Sequence, residues 1–487
     1  MRQNDHPAER LSNRVLPIVA TLLLTLCLLT SLAANVGLAG WALWVRRENQ
    51  QAQECMTALE SEVQQAQERT AALESEVERL QQLLLESGVE IPLAPADEQL
   101  MDTVEEQVVA LRGLRPKYPV ERALMTQEQL YDRMAQDFEE DFSPEEARDY
   151  ALTLAAFDFL DPDLDLYNLL LQLYTEQVAG FYDPETEQTY VVADLGPMGQ
   201  VERLTYAHEF THALQDQHFD LEALGLRDDA EEEYDSEYLG AVRALVEGDA
   251  TLLQQQFLQT HYSVVETAAL MQEMLEIDTS VLDAAPDVLR ESLLFPYEHG
   301  LAFVGALYEE GGWTAVDAAY ADPPLSTEHI LHPDRYHAGD APQLVSLPPL
   351  TDTLGAGWRQ ADEDILGEYF ARRYLAQQIP EEEAEAAAEG WGGDRYAVHY
   401  RQADGALVLA LHVVWDTPAD AEEFVDAYVA YAEGRFGHAA DVSGGARMCW
   451  TGGSDYLCLA WGPADVTVVL GPDELTVESV LELLMAE

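Results

Sequence analysis

The chain has 487 residues, more than one ordinary hydrophobic core accommodates, and its 48% hydrophobic content excludes wholesale disorder. Its 25 Lys and Arg against 91 Asp and Glu leave a net charge of −66. Such a surface repels phosphate backbones, which argues against a nucleic-acid partner, and four cysteines exclude both a disulfide scaffold and a Cys-rich zinc module.

Residues 1–14 read as a cytoplasmic tail. From Val15 to Val45 no charged residue occurs, Trp41 and Trp44 stand near the far end, and Arg46-Arg47 close the run. About 20 apolar residues cross a bilayer, so the run predicts a transmembrane signal anchor over 15–45. A cleaved signal peptide ending near Ser31-Leu32-Ala33 is the rival, disfavoured because apolar sequence continues past it. Arg2, Arg10 and Arg14 against Arg46 and Arg47 predict a single-pass protein with a cytoplasmic N-terminus and its bulk extracytoplasmic. Over 48–87, Leu59, Val63, Ala66, Thr70, Leu73, Val77, Leu80 and Leu84 alternate by four and three. That seam predicts a coiled-coil stalk and, through it, a homodimer, beside which Cys55 reads equally as an interchain disulfide or a free thiol.

Residues 97–345 read as a mainly helical domain with a small sheet. Two β-rich runs, 178–182 and Gln188–Val192, flank an Asp-Pro turn as a hairpin. Val201–Phe219 then returns to helix and carries His208-Glu209-Phe210-Thr211-His212. Four residues apart on a helix, two imidazoles share a face and can hold one ion, with Glu209 beside them to take a proton from a water. Zinc suits this donor set. Glu247, in a helical stripe from Tyr238 to Leu258 and flanked by Gly248 and Ala250, is the expected third ligand; Asp235, Glu237 and His218 are its rivals. Asp216 or Asp249 is expected to accept the outer N–H of a ligating imidazole.

His208-Glu209-Phe210-Thr211-His212 followed by Glu247-Gly248-Asp249-Ala250 resembles the gluzincin zinc metallopeptidases, of the peptidase MA type and distantly thermolysin-like. The resemblance covers about residues 178–258. It implies a zincin-like fold, Zn2+ held by His208, His212 and Glu247, Glu209 as general base, and a peptide or protein substrate laid along the hairpin's edge strand. It also implies a His or Tyr stabilising the transition state, for which His332 and Tyr336 are the candidates and His299 and His329 the alternatives. The 35 positions from His212 to Glu247 exceed the thermolysin spacing, and the acidic segment Asp220–Glu237 fills the excess as a loop over the cleft.

Pro342–Pro349 leads to a smaller C-terminal α+β domain, 355–487. Helical patterns are expected at Asp362–Gln378 and Glu381–Glu389 and strands at Tyr396–Tyr400 and Ala406–Trp415. A helix follows from Thr417, then strands at Ala446–Trp450, Tyr456–Trp461 and Val466–Leu470 and a closing helix at Val477–Leu484. Gly390-Trp391-Gly392-Gly393-Asp394 reads as an aromatic turn, and Cys449 and Cys458 are placed for a cross-strand disulfide. The whole reads as an α+β, membrane-anchored zinc metallopeptidase. The alternative is a non-catalytic dimeric cell-surface scaffold or adhesion protein with a structural or vestigial zinc site.

Overall fold

A computed structural model describes residues 94–486 except 126, 176–179, 185, 193–197, 228–229 and 231–232. The expected anchor at 15–45 and stalk at 48–87 lie outside the described residues. Among the described residues no helix is long and apolar enough to cross a membrane. The fold is therefore corrected to a mixed helix-and-sheet architecture, and the single-pass, extracytoplasmic membrane assignment is without support.

Helix α1 (Pro95–Arg112) leads into strand β1 (Glu121–Met125), and helices α2 (Gln127–Asp141), α3 (Pro144–Ala156) and α4 (Leu166–Thr175) follow. Ser143 caps α3: its hydroxyl accepts the Glu146 N–H, and the Glu146 carboxylate accepts the Ser143 N–H. Strands β2 (Gly180–Asp183) and β3 (Gln188–Val192) form the expected antiparallel hairpin. The periodicity of 97–174 is helical, yet β1 within it pairs in parallel with β3, giving the order β1-β3-β2. β2 is thus an edge strand.

The central helices are α5 (Gln200–Phe219) and α6 (Ser236–His261). Between them Leu221, Leu224 and Ala230 are buried, while Asp220, Glu222 and Glu233 are exposed. The Asp235 carboxylate accepts the Tyr238 N–H and starts α6. Next come α7 (Val264–Met274), α8 (Ser280–Ala284) and α9 (Asp287–Gly311), then α10 (Trp313–Ala319), α11 (Thr327–Leu331), α12 (Pro333–Ala338) and α13 (Thr351–Leu354). Helices α6 and α9 pack backbone to backbone: a Cβ on Gly248 would stand 2.2 Å from the Gly300 carbonyl oxygen.

The C-terminal region is a seven-stranded sheet in the order β4-β5-β6-β10-β9-β8-β7, antiparallel in every pairing. Its strands are β4 (Trp358–Asp364), β5 (Trp391–Arg401), β6 (Ala406–Trp415), β7 (Val442–Ser443), β8 (Arg447–Gly452), β9 (Asp455–Trp461) and β10 (Asp465–Gly471). Helices α14 (Gly367–Ala376), α15 (Glu381–Ala388), α16 (Pro418–Phe436) and α17 (Glu474–Leu484) accompany it. Two expectations are corrected. The start of the supposed helix from Asp362 belongs to β4. The supposed aromatic turn lies in a bulged β5, where the buried Trp391 indole donates to Asp394 at 2.8 Å. Cys449 and Cys458 face each other across β8 and β9 and are joined by a disulfide.

The two regions share a core. One hydrophobic cluster runs from Phe138, Phe157 and Tyr174 through Phe181 and Tyr190 of the hairpin to Tyr374, Tyr396 and Leu409. Phe157 meets both Tyr374 and Tyr396 edge-on at 5.2 Å, and Arg359 of β4 holds Asp149 of α3. Polar contacts lock the same seam: the Ser236 hydroxyl at the start of α6 donates to the Ile365 carbonyl at 3.3 Å, and Arg373 of the C-terminal region pairs with Glu291 of α9.

Candidate metal centre

Helix α5 runs through the interior rather than over the surface, and every residue from Leu204 to Gln215 is buried. Glu202 secures its start by accepting the Gly199 N–H at 2.8 Å. One turn apart on this helix, His208 and His212 bring their Nε2 atoms to 3.0 Å from each other. Glu247 of α6 completes the group, its Oε2 lying 3.2 Å from His208 Nε2 and 3.4 Å from His212 Nε2. These are the residues read from the sequence, and the structure brings all three together.

The donor set fits a tetrahedral ion. Metal–ligand bonds of about 2.05 Å give ligand–ligand edges of about 3.3 Å, which the three observed separations approach. Two imidazole nitrogens and a carboxylate oxygen converge among buried residues, a group that could hold a metal ion. In the metal-free chain burial disfavours every charge here, yet the flanking imidazoles hold the Glu247 carboxyl below its usual range. Burial likewise works against the His212 cation, but Glu247 outweighs it and raises His212, whereas burial prevails at His208 and lowers it.

Glu209 points to the hairpin. Its Oε2 accepts the Tyr182 N–H of edge strand β2 at 3.0 Å, while its Oε1 is buried without a hydrogen-bond partner. Burial pushes this carboxyl up to about 7. The Tyr182 hydroxyl donates to Asp216 at 2.8 Å, so β2 is tied twice to the motif helix.

The outer contacts differ from expectation. Asp216 faces Tyr182 and the Leu221 N–H, not a ligating imidazole. Asp249 is paired with Arg112 through both oxygens and accepts the Tyr320 hydroxyl. Two residues beyond Glu247 it stands about 200° around the helix, away from the centre. The actual acceptor beside His212 Nδ1 is Gln215 Oε1 at 2.8 Å. The rival ligands are engaged elsewhere: Asp235 caps α6, Glu237 binds Thr327, and His218 lies 2.7 Å from the Arg115 carbonyl.

None of the four transition-state candidates belongs to the three-ligand group. His332 Nε2 lies 2.9 Å from Glu368 Oε1 and Tyr336 donates to the Asp322 carbonyl at 2.8 Å. His329 accepts the Leu325 N–H and approaches the Asp340 carbonyl, and His299 packs between Phe295 and Tyr369. The aromatic ring beside the centre is Tyr297 of α9, fully buried with its ring 6.3 Å from that of His208. Nothing in its own stretch of sequence marked it; only the close packing of α9 on α6 brings it there.

A family model described as a domain of unknown function (DUF8575) matches residues 353–481, which hold the C-terminal sheet and most of its helices. The cluster of His208, His212 and Glu247 lies outside that match. No curated protein and no solved structure matches the chain.

Proposed function

We propose that the protein is a zinc-dependent metallopeptidase that hydrolyses peptide bonds. The observation that carries this reading is the convergence of His208, His212 and Glu247 on one point with the Glu209 carboxylate alongside. Zinc, when bound there, supplies the Lewis acidity that polarises a carbonyl and acidifies water. The chain's own part is proton handling and alignment. Glu209 keeps Oε2 on the Tyr182 N–H, which fixes the carboxylate and leaves Oε1 to take a proton from the attacking water. The water oxygen bonds to the carbonyl carbon, the C–N bond breaks, and Glu209 returns the proton to the departing amine. The edge strand β2 beside Glu209 offers a backbone along which an extended peptide can lie.

Full-length protein purified without chelator should contain about one zinc per chain by elemental analysis. Glu209→Gln should keep that zinc and abolish cleavage of a peptide library that the wild type cuts. Failure to bind zinc even after reconstitution would sink the reading.

A structural zinc site is the second reading, favoured by burial, since even His212, the most open of the four residues, is only 8% exposed. A hydroxamate or small thiol separates the two. It should perturb the visible spectrum of the cobalt-substituted protein if a coordination position is open, and leave it unchanged if the site is closed.

A further inference from the structure

Gln215 joins the two helices that carry the ligands. It is fully buried, and its side-chain amide spans from His212 Nδ1, 2.8 Å from Oε1, to the Val246 carbonyl, 2.9 Å from Nε2. Val246 immediately precedes Glu247, so this one side chain touches the second ligand and the backbone next to the third.

The chemistry of these groups admits a single arrangement. A backbone carbonyl only accepts, so the amide NH2 must face Val246. The amide oxygen therefore faces His212, and because it also only accepts, Nδ1 must carry a proton. A histidine with its proton fixed on Nδ1 presents the lone pair of Nε2, and Nε2 is the atom that meets His208 and Glu247. Resting on the metallopeptidase reading above, we infer that Gln215 is a positioning residue: it locks His212 in the metal-binding tautomer and sets the separation of α5 from α6 at the centre. His208 has no equivalent among the described residues, its Nδ1 being buried without a partner, so the clasp acts on one ligand of the pair. An amide in this place orients the imidazole without adding a negative charge, whereas a carboxylate would raise the ligand's basicity and blunt the electrophilicity of the ion.

Three proteins test this: wild type, Gln215→Leu, which removes both bonds, and Gln215→Glu, which keeps an acceptor for Nδ1–H. Zinc dissociation constants come from competition with a chromophoric chelator, and zinc-loaded, 15N-histidine-labelled samples report the His212 Nδ1–H by NMR. Wild type should show a slowly exchanging imidazole N–H signal. Gln215→Leu should lose that signal and bind zinc about 10- to 100-fold more weakly, while Gln215→Glu should keep the signal and recover most of the affinity. Equal affinity and an intact signal in Gln215→Leu would overturn the positioning role and leave the metal centre standing. Loss of the signal in Gln215→Glu would also overturn it, because the acceptor would then be irrelevant. No zinc in the wild type would overturn the centre and this inference together. Should Gln215→Leu not fold, the signal in Gln215→Glu decides alone, its presence supporting the role and its absence ending it.

Discussion

His399 shows what burial does to a single titratable group outside the metal centre. It stands on β5, 1% exposed, with neither ring nitrogen hydrogen-bonded, and burial holds it down to about 4 despite the nearby Glu363. A depressed histidine is neutral in the fold and protonates more readily once unfolded. Its contribution to stability is therefore present above about pH 6.5 and is lost as the pH falls through about 4, a difference of roughly 3 kcal/mol. Urea unfolding between pH 7 and pH 4.5 should show a steep acid loss in wild type and a shallower one in His399→Leu; parallel curves would refute the assignment. At the metal centre, residue spacing was informative in proportion to its locality. His208 and His212 were legible because a four-residue interval on a helix has one geometric meaning, and Glu247 because a carboxylate amid small and apolar neighbours needs a partner. Gln215 was not legible, although it stands one turn beyond His212. An amide carries no titration signature, and its second partner, the Val246 carbonyl, is a backbone atom that only the fold supplies.

The contact between α6 and α9 determines where Glu247 stands. At Gly248 an added Cβ meets the Gly300 carbonyl carbon at 2.3 Å, and at Gly300 it meets the Ala244 carbonyl oxygen at 2.1 Å. Backbone cannot swing aside as a side chain can. Gly248→Ala should therefore cost about 3 kcal/mol or more in chemical denaturation and lower zinc affinity by displacing α6. Gly305→Ala, on α9 where nothing lies within 4 Å, is the control, expected to stabilise by about 0.5–1 kcal/mol through helix propensity. A neutral Gly248→Ala would mean that the helices separate freely. Elements with strong internal pattern were readable from sequence: the hairpin of β5 and β6 around Asp404-Gly405, and α16 beginning at Thr417-Pro418. Those that depend on distant partners were not. β1 is five residues within an Arg- and Glu-rich stretch and becomes a strand by pairing with β3, reached through three helices. β4 carries Arg359, Asp362 and Glu363, whose partners Asp149, Tyr396 and Arg395 lie elsewhere in the chain, so its charges disguised the end of an edge strand as the start of a polar helix.

At the scale of the molecule, charge and core pull against each other. A net charge of −66 repels itself, and added salt screens that repulsion within about 10 Å at 0.1 M. Melting temperature should rise as NaCl increases from 0.01 to 0.5 M, and a fall would show that the arginine-centred ion pairs outweigh the surplus acids. One core cluster draws residues from both of the units read from the sequence. The cluster that includes Phe181 and Tyr190 of the hairpin continues to Tyr396, Leu409 and Val468 of the C-terminal sheet. That continuity has a consequence for biosynthesis. His208, His212 and Glu247 have all been synthesised by residue 247, but the strands that finish the core behind β2 and β3 are made only between residues 391 and 471. For the length of more than a hundred residues of translation the nascent chain carries its ligands on an incomplete support. Such a chain exposes apolar surface that a chaperone would have to shield until the last strand closes.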